Sequence, residues 1–176
     1  AGLFLDTMLH FGTLAAVAYY FRDELARVAR RPFGRTGLLL AVGTLPAVIA
    51  GVCFEDLFEA VSVSGVTIGW EFLVTGVFLW LADGMKDGRK RLNDITYTDA
   101  LVIGVFQAGA IFPALSRSGL TIAAALFRKL DRETAAYFSF LLSIPSIAGG
   151  ILLQSRYLLD GSAHENIGLG ALAVGA

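Results

Sequence analysis

Ser116-Arg117-Ser118 sits directly after Pro113-Ala114-Leu115 and is followed by Gly119 and Thr121. Arg117 is the only Asp, Glu, Lys or Arg between Ala100 and Phe127. A guanidinium is a planar fork that matches two phosphate oxygens. Hydroxyls on both sides add donors and acceptors. A glycine and a proline nearby loosen the backbone and remove one N–H. This is a set of anion-binding parts, and it lies in a strongly apolar stretch. At membrane depth a guanidinium costs about 3 kcal/mol on insertion scales, so it is expected to face a cavity, a partner or an anionic ligand.

The rest of the chain shows what must position these parts. Of its 176 residues 56% are hydrophobic and 16% charged, against about 25% charged in an ordinary soluble domain. The charges are clustered. Together these features predict an all-α integral membrane protein, a multi-span helical bundle. The net charge of -1 gives no basis for nucleic-acid binding. Cys53 is the single cysteine, so neither a disulfide framework nor a cysteine metal site is available, and it reads as a small buried apolar residue.

We read one transmembrane domain over residues 1–176, with spans at 3–21, 36–54, 61–82 and 134–154 and a truncated span at 167–176. An ordinary span needs about 20 residues to cross about 30 Å of hydrocarbon. The missing initial Met and the cut-off apolar end lead us to expect a fragment of a longer membrane protein.

Segment 100–127 is different. Residues 22–35 hold five Lys or Arg, residues 83–99 hold four and residues 128–133 hold three, whereas 55–60 hold three acids and no base. The positive-inside rule puts the three basic loops on the cytoplasmic side. Two spans separate the first two loops, which therefore share a side. Only segment 100–127 separates the second from the third. If it enters and returns, all three share a side, so we predict a re-entrant helix–loop–helix broken near residues 112–118. Non-helical backbone at that depth must be buried in protein or line a wet cavity. One long Pro-kinked span is the competing reading.

With Leu115 or Ser116 starting the second half-helix, its N-terminus would carry about half a positive charge at the break. Ser116, Ser118 and Thr121 would add hydroxyls, and Ala123, Ala124 and Ala125 would allow close helix packing. Such an anion site suits an enzyme or a carrier equally. Arg117 could alternatively clamp carbonyls or Glu71. Asp6 and His10 share a helix face, where a hydrogen-bonded pair is the simplest reading. Gln107 could donate to a ligand or bridge helices. Glu71 needs a partner and receives no functional assignment.

Residues Gln107-Ala108-Gly109-Ala110-Ile111-Phe112-Pro113-Ala114-Leu115-Ser116-Arg117-Ser118-Gly119-Leu120-Thr121-Ile122 resemble the second signature of the undecaprenyl-diphosphate phosphatases, the bacitracin-resistance proteins. That signature reads approximately Pro-Gly-x-Ser-Arg-Ser-Gly-x-Thr. Residues 4–17 are similar to the family's first full span after its N-terminal box, and residues 138–145 to the segment after the signature.

The resemblance implies membrane helices with two re-entrant hairpins related by inverted repeats. It implies hydrolysis of undecaprenyl diphosphate to undecaprenyl phosphate and phosphate in a bacterial cell (plasma) membrane, which recycles the cell-wall lipid carrier and confers bacitracin resistance. It further implies a divalent cation, Mg or Ca, a polyprenyl diphosphate lipid as partner, no nucleic acid, and leaves a homodimer open. Carried over, Arg117 binds the diphosphate with Ser116 as the closest contact. Ser118, Thr121, Gly119 and Gln107 complete the substrate site. Ala114 replaces the family's glycine. The box with two glutamates and Ser-Ser-Thr-Gly-His is not in this chain, and His10 is not its histidine. No metal ligand is therefore assigned here, and residues 1–176 alone are expected to be inactive. The alternatives are an anion or lipid-phosphate transporter or channel filtering through the Ser-Arg-Ser loop, and a flippase for undecaprenyl phosphate.

Overall fold

Apolar runs with no solvent partner for their backbone must satisfy N–H and C=O groups internally, and helices do so within one segment. A computed structural model describes residues 3–54, 57, 58, 60, 61, 65–112 and 114–159, without the side chains of 3–8 and 153–159. Its helices are α1 (Leu3–Tyr20), α2 (Arg22–Arg30), α3 (Arg35–Cys53), α4 (Ile68–Asp83), α5 (Tyr97–Gly109), α6 (Arg117–Phe127) and α7 (Arg132–Leu159), with a 3-10 turn at Leu92–Asp94. Among the described residues the only extended pairing is an isolated parallel bridge between Lys90 and Leu130. The protein is all-helical, as expected. By length and composition, α3 and the Arg132–Leu152 part of α7 could each cross a membrane. The expected span at 167–176 lies outside the described residues.

The sequence places a span from residue 61; Val61 is helical, and α4 starts at Ile68. Gly65 takes a φ of 61°, a left-handed conformation that interrupts a right-handed helix and suits glycine. Cys53, expected to be buried, is exposed at the end of α3.

The chain forms two compact units, Ala1–Arg30 with Ser143–Ala176, and Arg31–Leu142. In the first, α2 has Asp23 and Glu24 in its first turn and Arg27 and Arg30 in its last, an order that complements the helix dipole.

The second unit holds the Ser-Arg-Ser segment. There α3 packs on α5, and α6 packs on both α4 and α5. The α3–α5 crossing is close because it is built on glycines. A Cβ at Gly104 would collide with the Gly43 carbonyl, and one at Gly43 would come within 2.9 Å of a Leu142 methyl. On α6, Ala123, Ala124 and Ala125 are wholly buried, so the small residues do allow close packing. Phe78, Phe106 and Phe127 tie α4, α5 and α6 together, with ring centroids 5.4 to 6.4 Å apart.

At one end of this unit the basic loops converge. Thr96 caps α5, accepting from the Asp99 N–H at 3.1 Å while its own N–H returns to Oδ2 of Asp99 at 3.0 Å. The same carboxylate accepts from Lys90 Nζ at 2.9 Å and from Arg128 Nε, just past the end of α6, at 2.7 Å. The entry of α5 and the exit of α6 are thereby joined. Lys90 N–H donates to the Lys129 carbonyl and Asp131 N–H to the Lys90 carbonyl, both at 3.0 Å. Arg35, at the start of α3, donates to the carbonyls of Asn93 and Ile95. Arg132 reaches the Asp83 carbonyl at 3.1 Å.

Burial works to raise the pKa of Asp99. The Thr96 N–H, Lys90, Arg128 and the Thr96 hydroxyl outweigh it and hold the carboxyl well below the ordinary range. Its stabilisation is therefore complete at neutral pH and is lost as pH falls below about 4. Replacing Asp99 with Ala leaves Lys90 and Arg128 without their shared partner and should cost about 3 kcal/mol. Thermal unfolding in detergent should show a lower melting temperature for Asp99→Ala. The Asp99→Asn variant should show a weaker loss of stability between pH 5 and 3 (about the unfolded carboxylate range) than the unmodified protein.

Candidate active site

Helix α6 begins at Arg117 because Ser116 caps it. Ser116 is extended (φ −74°, ψ 103°), and its Oγ accepts from the Gly119 N–H at 3.1 Å. The second half-helix thus starts one residue after Ser116, the later of the two expected starts. Gly119 leaves room for the cap, since a Cβ there would lie 2.9 Å from Ser116 Oγ. A hydroxyl accepts and donates at once, so Ser116 still has its O–H to offer a ligand.

The break runs from Ala110, which caps the end of α5, to Ser116. It begins two residues earlier than expected, and Pro113 lies outside the described residues. Helix α4 holds the backbone of the break. Ala114 N–H donates to Glu71 Oε2 at 2.7 Å, and Ser116 N–H donates to Thr75 Oγ1 at 3.2 Å. Thr67 hydroxyl donates to Glu71 Oε1 at 2.6 Å. Glu71 and Thr75 are 6% and 7% exposed. Phe112 packs edge-on against Phe58, with centroids 4.9 Å apart. Among the described residues the only non-glycine with positive φ is Lys129. Ala114 therefore adopts a backbone open to any L-residue, and its Cβ brings no left-handed strain.

The six residues singled out from sequence separate into two groups. Ser116, Arg117 and Ser118 come together at the mouth of α6, with Ser118 exposed and the other two partly buried. Gly119 lies beneath them and shapes the cap. Thr121 is 1% exposed. Its hydroxyl lies 2.9 Å from the Arg117 carbonyl and 2.5 Å from Ser139 Oγ on α7, so it faces the helix contact instead of the break. Gln107 is 2% exposed, and neither end of its amide has a partner among the described residues. Of the other candidates, Asp6 lies where side chains are not described, and His10 belongs to the other compact unit.

Glu71 and Thr75 were not assigned from sequence. A signal did exist: Thr67, Glu71 and Thr75 recur every four residues in an apolar run and so lie on one helix face.

The N–H groups of Ala114 and Ser116 are directed to α4, so an anion at the break cannot use them. Its contacts fall to the first turn of α6, where orphan N–H groups carry partial positive charge. The Arg117 fork and the hydroxyls of Ser116 and Ser118 add to it. Among the described residues no group of three His, Cys, Asp or Glu gathers to hold a cation.

The family described as bacitracin resistance protein BacA matches residues 2–176. The chain belongs to this family. It is 61% identical over 175 residues to undecaprenyl-diphosphatase 4 of Bacillus thuringiensis (strain Al Hakam), covering 99% of this chain and 67% of that protein. Identity is 48% over 162 residues to the undecaprenyl-diphosphatase of Carboxydothermus hydrogenoformans, 92% of this chain and 62% of the relative. It is 38% over 198 residues to that of Chlorobaculum tepidum, 99% and 70%. The BacA match includes the whole Ser-Arg-Ser break and the α4 face that holds it.

Ser116→Ala should lower stability by about 1 kcal/mol through loss of the cap. Ser116→Asn, which keeps a capping oxygen, should retain the original melting temperature. Thermal unfolding in detergent compares the two.

Proposed function

We propose that this chain holds the diphosphate of undecaprenyl diphosphate for hydrolysis to undecaprenyl phosphate and phosphate. Water attacks the terminal phosphorus, the bridging P–O bond breaks, and the bridging oxygen leaves with the lipid phosphate. Phosphoryl transfer depends chiefly on positioning and charge neutralisation. The observation that carries the reading is the Ser116–Arg117–Ser118 cluster at the N-terminus of α6, in a family whose relatives are named undecaprenyl-diphosphatases. Arg117 binds non-bridging oxygens, and the Ser116 and Ser118 hydroxyls orient them. Consuming undecaprenyl diphosphate accounts for bacitracin resistance if that lipid is the antibiotic's target.

The site works within a multi-pass protein of the bacterial cell membrane, where α5 and α6 form a re-entrant hairpin. Support for re-entry comes from Asp99 and Arg128, which bond at 2.7 Å although they lie at opposite ends of the segment whose one charged residue is Arg117. A single crossing would separate them by about 30 Å. The convergence of Arg35, Lys90, Arg128 and Arg132 on one end agrees with the positive-inside rule.

Two experiments test this. In the full-length protein, Arg117→Ala should reduce release of inorganic phosphate from undecaprenyl diphosphate in detergent at least about 1,000-fold, as for other transition-state charge donors. Retention of near-normal release would sink the assignment. In sealed vesicles, single cysteines replacing Met85 and Lys129 should label from the same face with a membrane-impermeant reagent. Labelling from opposite faces would mean a single span.

A further inference from the structure

Helix α4 carries a polar stripe that the proposed chemistry does not use. Thr67, Glu71 and Thr75 succeed one another along one face. Glu71 accepts from Thr67 on one oxygen and from the Ala114 N–H on the other, and Thr75 accepts from the Ser116 N–H. The two backbone bonds fall on alternate residues of the break and bracket Leu115. The second ends on the residue that caps α6. Its neighbour Arg117 starts that helix, so the direction of the helix mouth follows from where α4 holds residues 114 and 116. A buried carboxylate is costly to desolvate. Here one of its two oxygens is spent on a main-chain N–H 43 residues away.

We infer that Glu71 and Thr75 are positioning residues of the anion site, acting through the backbone of the break to aim Ser116 and Arg117 at the ligand. The inference rests on the function proposed above and adds what aligns it. A displacement of about 1 Å in a positioned group costs about 100-fold in rate. In the full-length protein Glu71→Ala and Thr75→Val should therefore lower kcat for phosphate release by about that factor. Glu71→Gln keeps an oxygen for the Ala114 N–H, and Thr75→Ser keeps one for Ser116. Both should recover kcat to within about tenfold of the unmodified protein.

A second readout does not need turnover. In a cysteine-free background, Ser118→Cys reports the helix mouth through its rate of reaction with an anionic thiosulfonate. That rate should change when Glu71→Ala is added and return with Glu71→Gln. Normal kcat in folded Glu71→Ala overturns the inference. So does loss of kcat with an unchanged labelling rate, which would place the effect elsewhere. If the unmodified protein releases no phosphate, the proposed function fails, and the labelling rates alone decide whether Glu71 positions the break.

Discussion

A helix broken in apolar surroundings leaves main-chain N–H and C=O groups that water cannot reach, and each orphan costs about 1–3 kcal/mol. The second unit is organised around this constraint. In the break from Ala110 to Ser116, the N–H groups of Ala110, Ile111, Ala114, Leu115 and Ser116 are taken up by local turns and by the polar stripe on α4. Ala110 N–H returns to Phe106 and Gln107, Leu115 N–H to Phe112, Ala114 N–H to Glu71 and Ser116 N–H to Thr75. The stripe explains why an apolar helix carries a buried glutamate. Beyond the break, α6 packs against α4 as well as against its sequence neighbour α5.

The opposite end of the hairpin solves a different problem. Two helices joined by an irregular tip splay unless their far ends are tied. Asp99 ties them with a carboxylate that is fully buried and receives bonds from Lys90, Thr96 and Arg128. Its partners are partly exposed, so it can remain charged without a full burial penalty. The backbone pairing of Lys90 with residues 129 and 131 reinforces the tie. Lys129 turns left-handed there, at φ 68°, a conformation worth about 1–2 kcal/mol of strain for a residue with a Cβ. One end is thus rigid and charged, and the other is a shaped apolar-to-polar tip.

Some of this was legible in the sequence, for reasons that differ by residue. Arg117 stood out because composition alone isolates it. Counting basic residues in loops brought the two ends of segment 100–127 to one side, and Asp99 and Arg128 do meet, since charge sorting is a property of segments and survives ignorance of their packing. The helix break followed from proline and glycine chemistry, to within two residues. What escaped was tertiary. Glu71 and Ala114 are 43 residues apart, and Thr75 and Ser116 are 41, so no local pattern links them. Thr121 looked like a third hydroxyl at the break. Its position four residues along α6 instead lets its O–H meet the Arg117 carbonyl, a local bond open to any helical threonine. Ala114 looked like a defect only because the family pattern has glycine there. The positive φ that would make it one is absent.

Glu71 bears on the proposed anion site through what it has already bonded. A carboxylate with empty lone pairs close to an anion site would compete with phosphate for any donor in reach. Both oxygens of Glu71 already accept a bond, from Thr67 and from Ala114, so its remaining appetite for donors is reduced. The bond from Ala114 to Glu71 and that from Ser116 to Thr75 turn two N–H groups of the break toward α4. On the reading proposed above, a ligand at the break would meet the first turn of α6 and Arg117. On that reading, the site would place its donors at one side of the tip, where charge accumulates on a phosphoryl group. That arrangement favours a compact anion with several oxygens over a linear chain of small ions. It therefore fits a diphosphate head group better than a permeation path, on the physics of the tip alone.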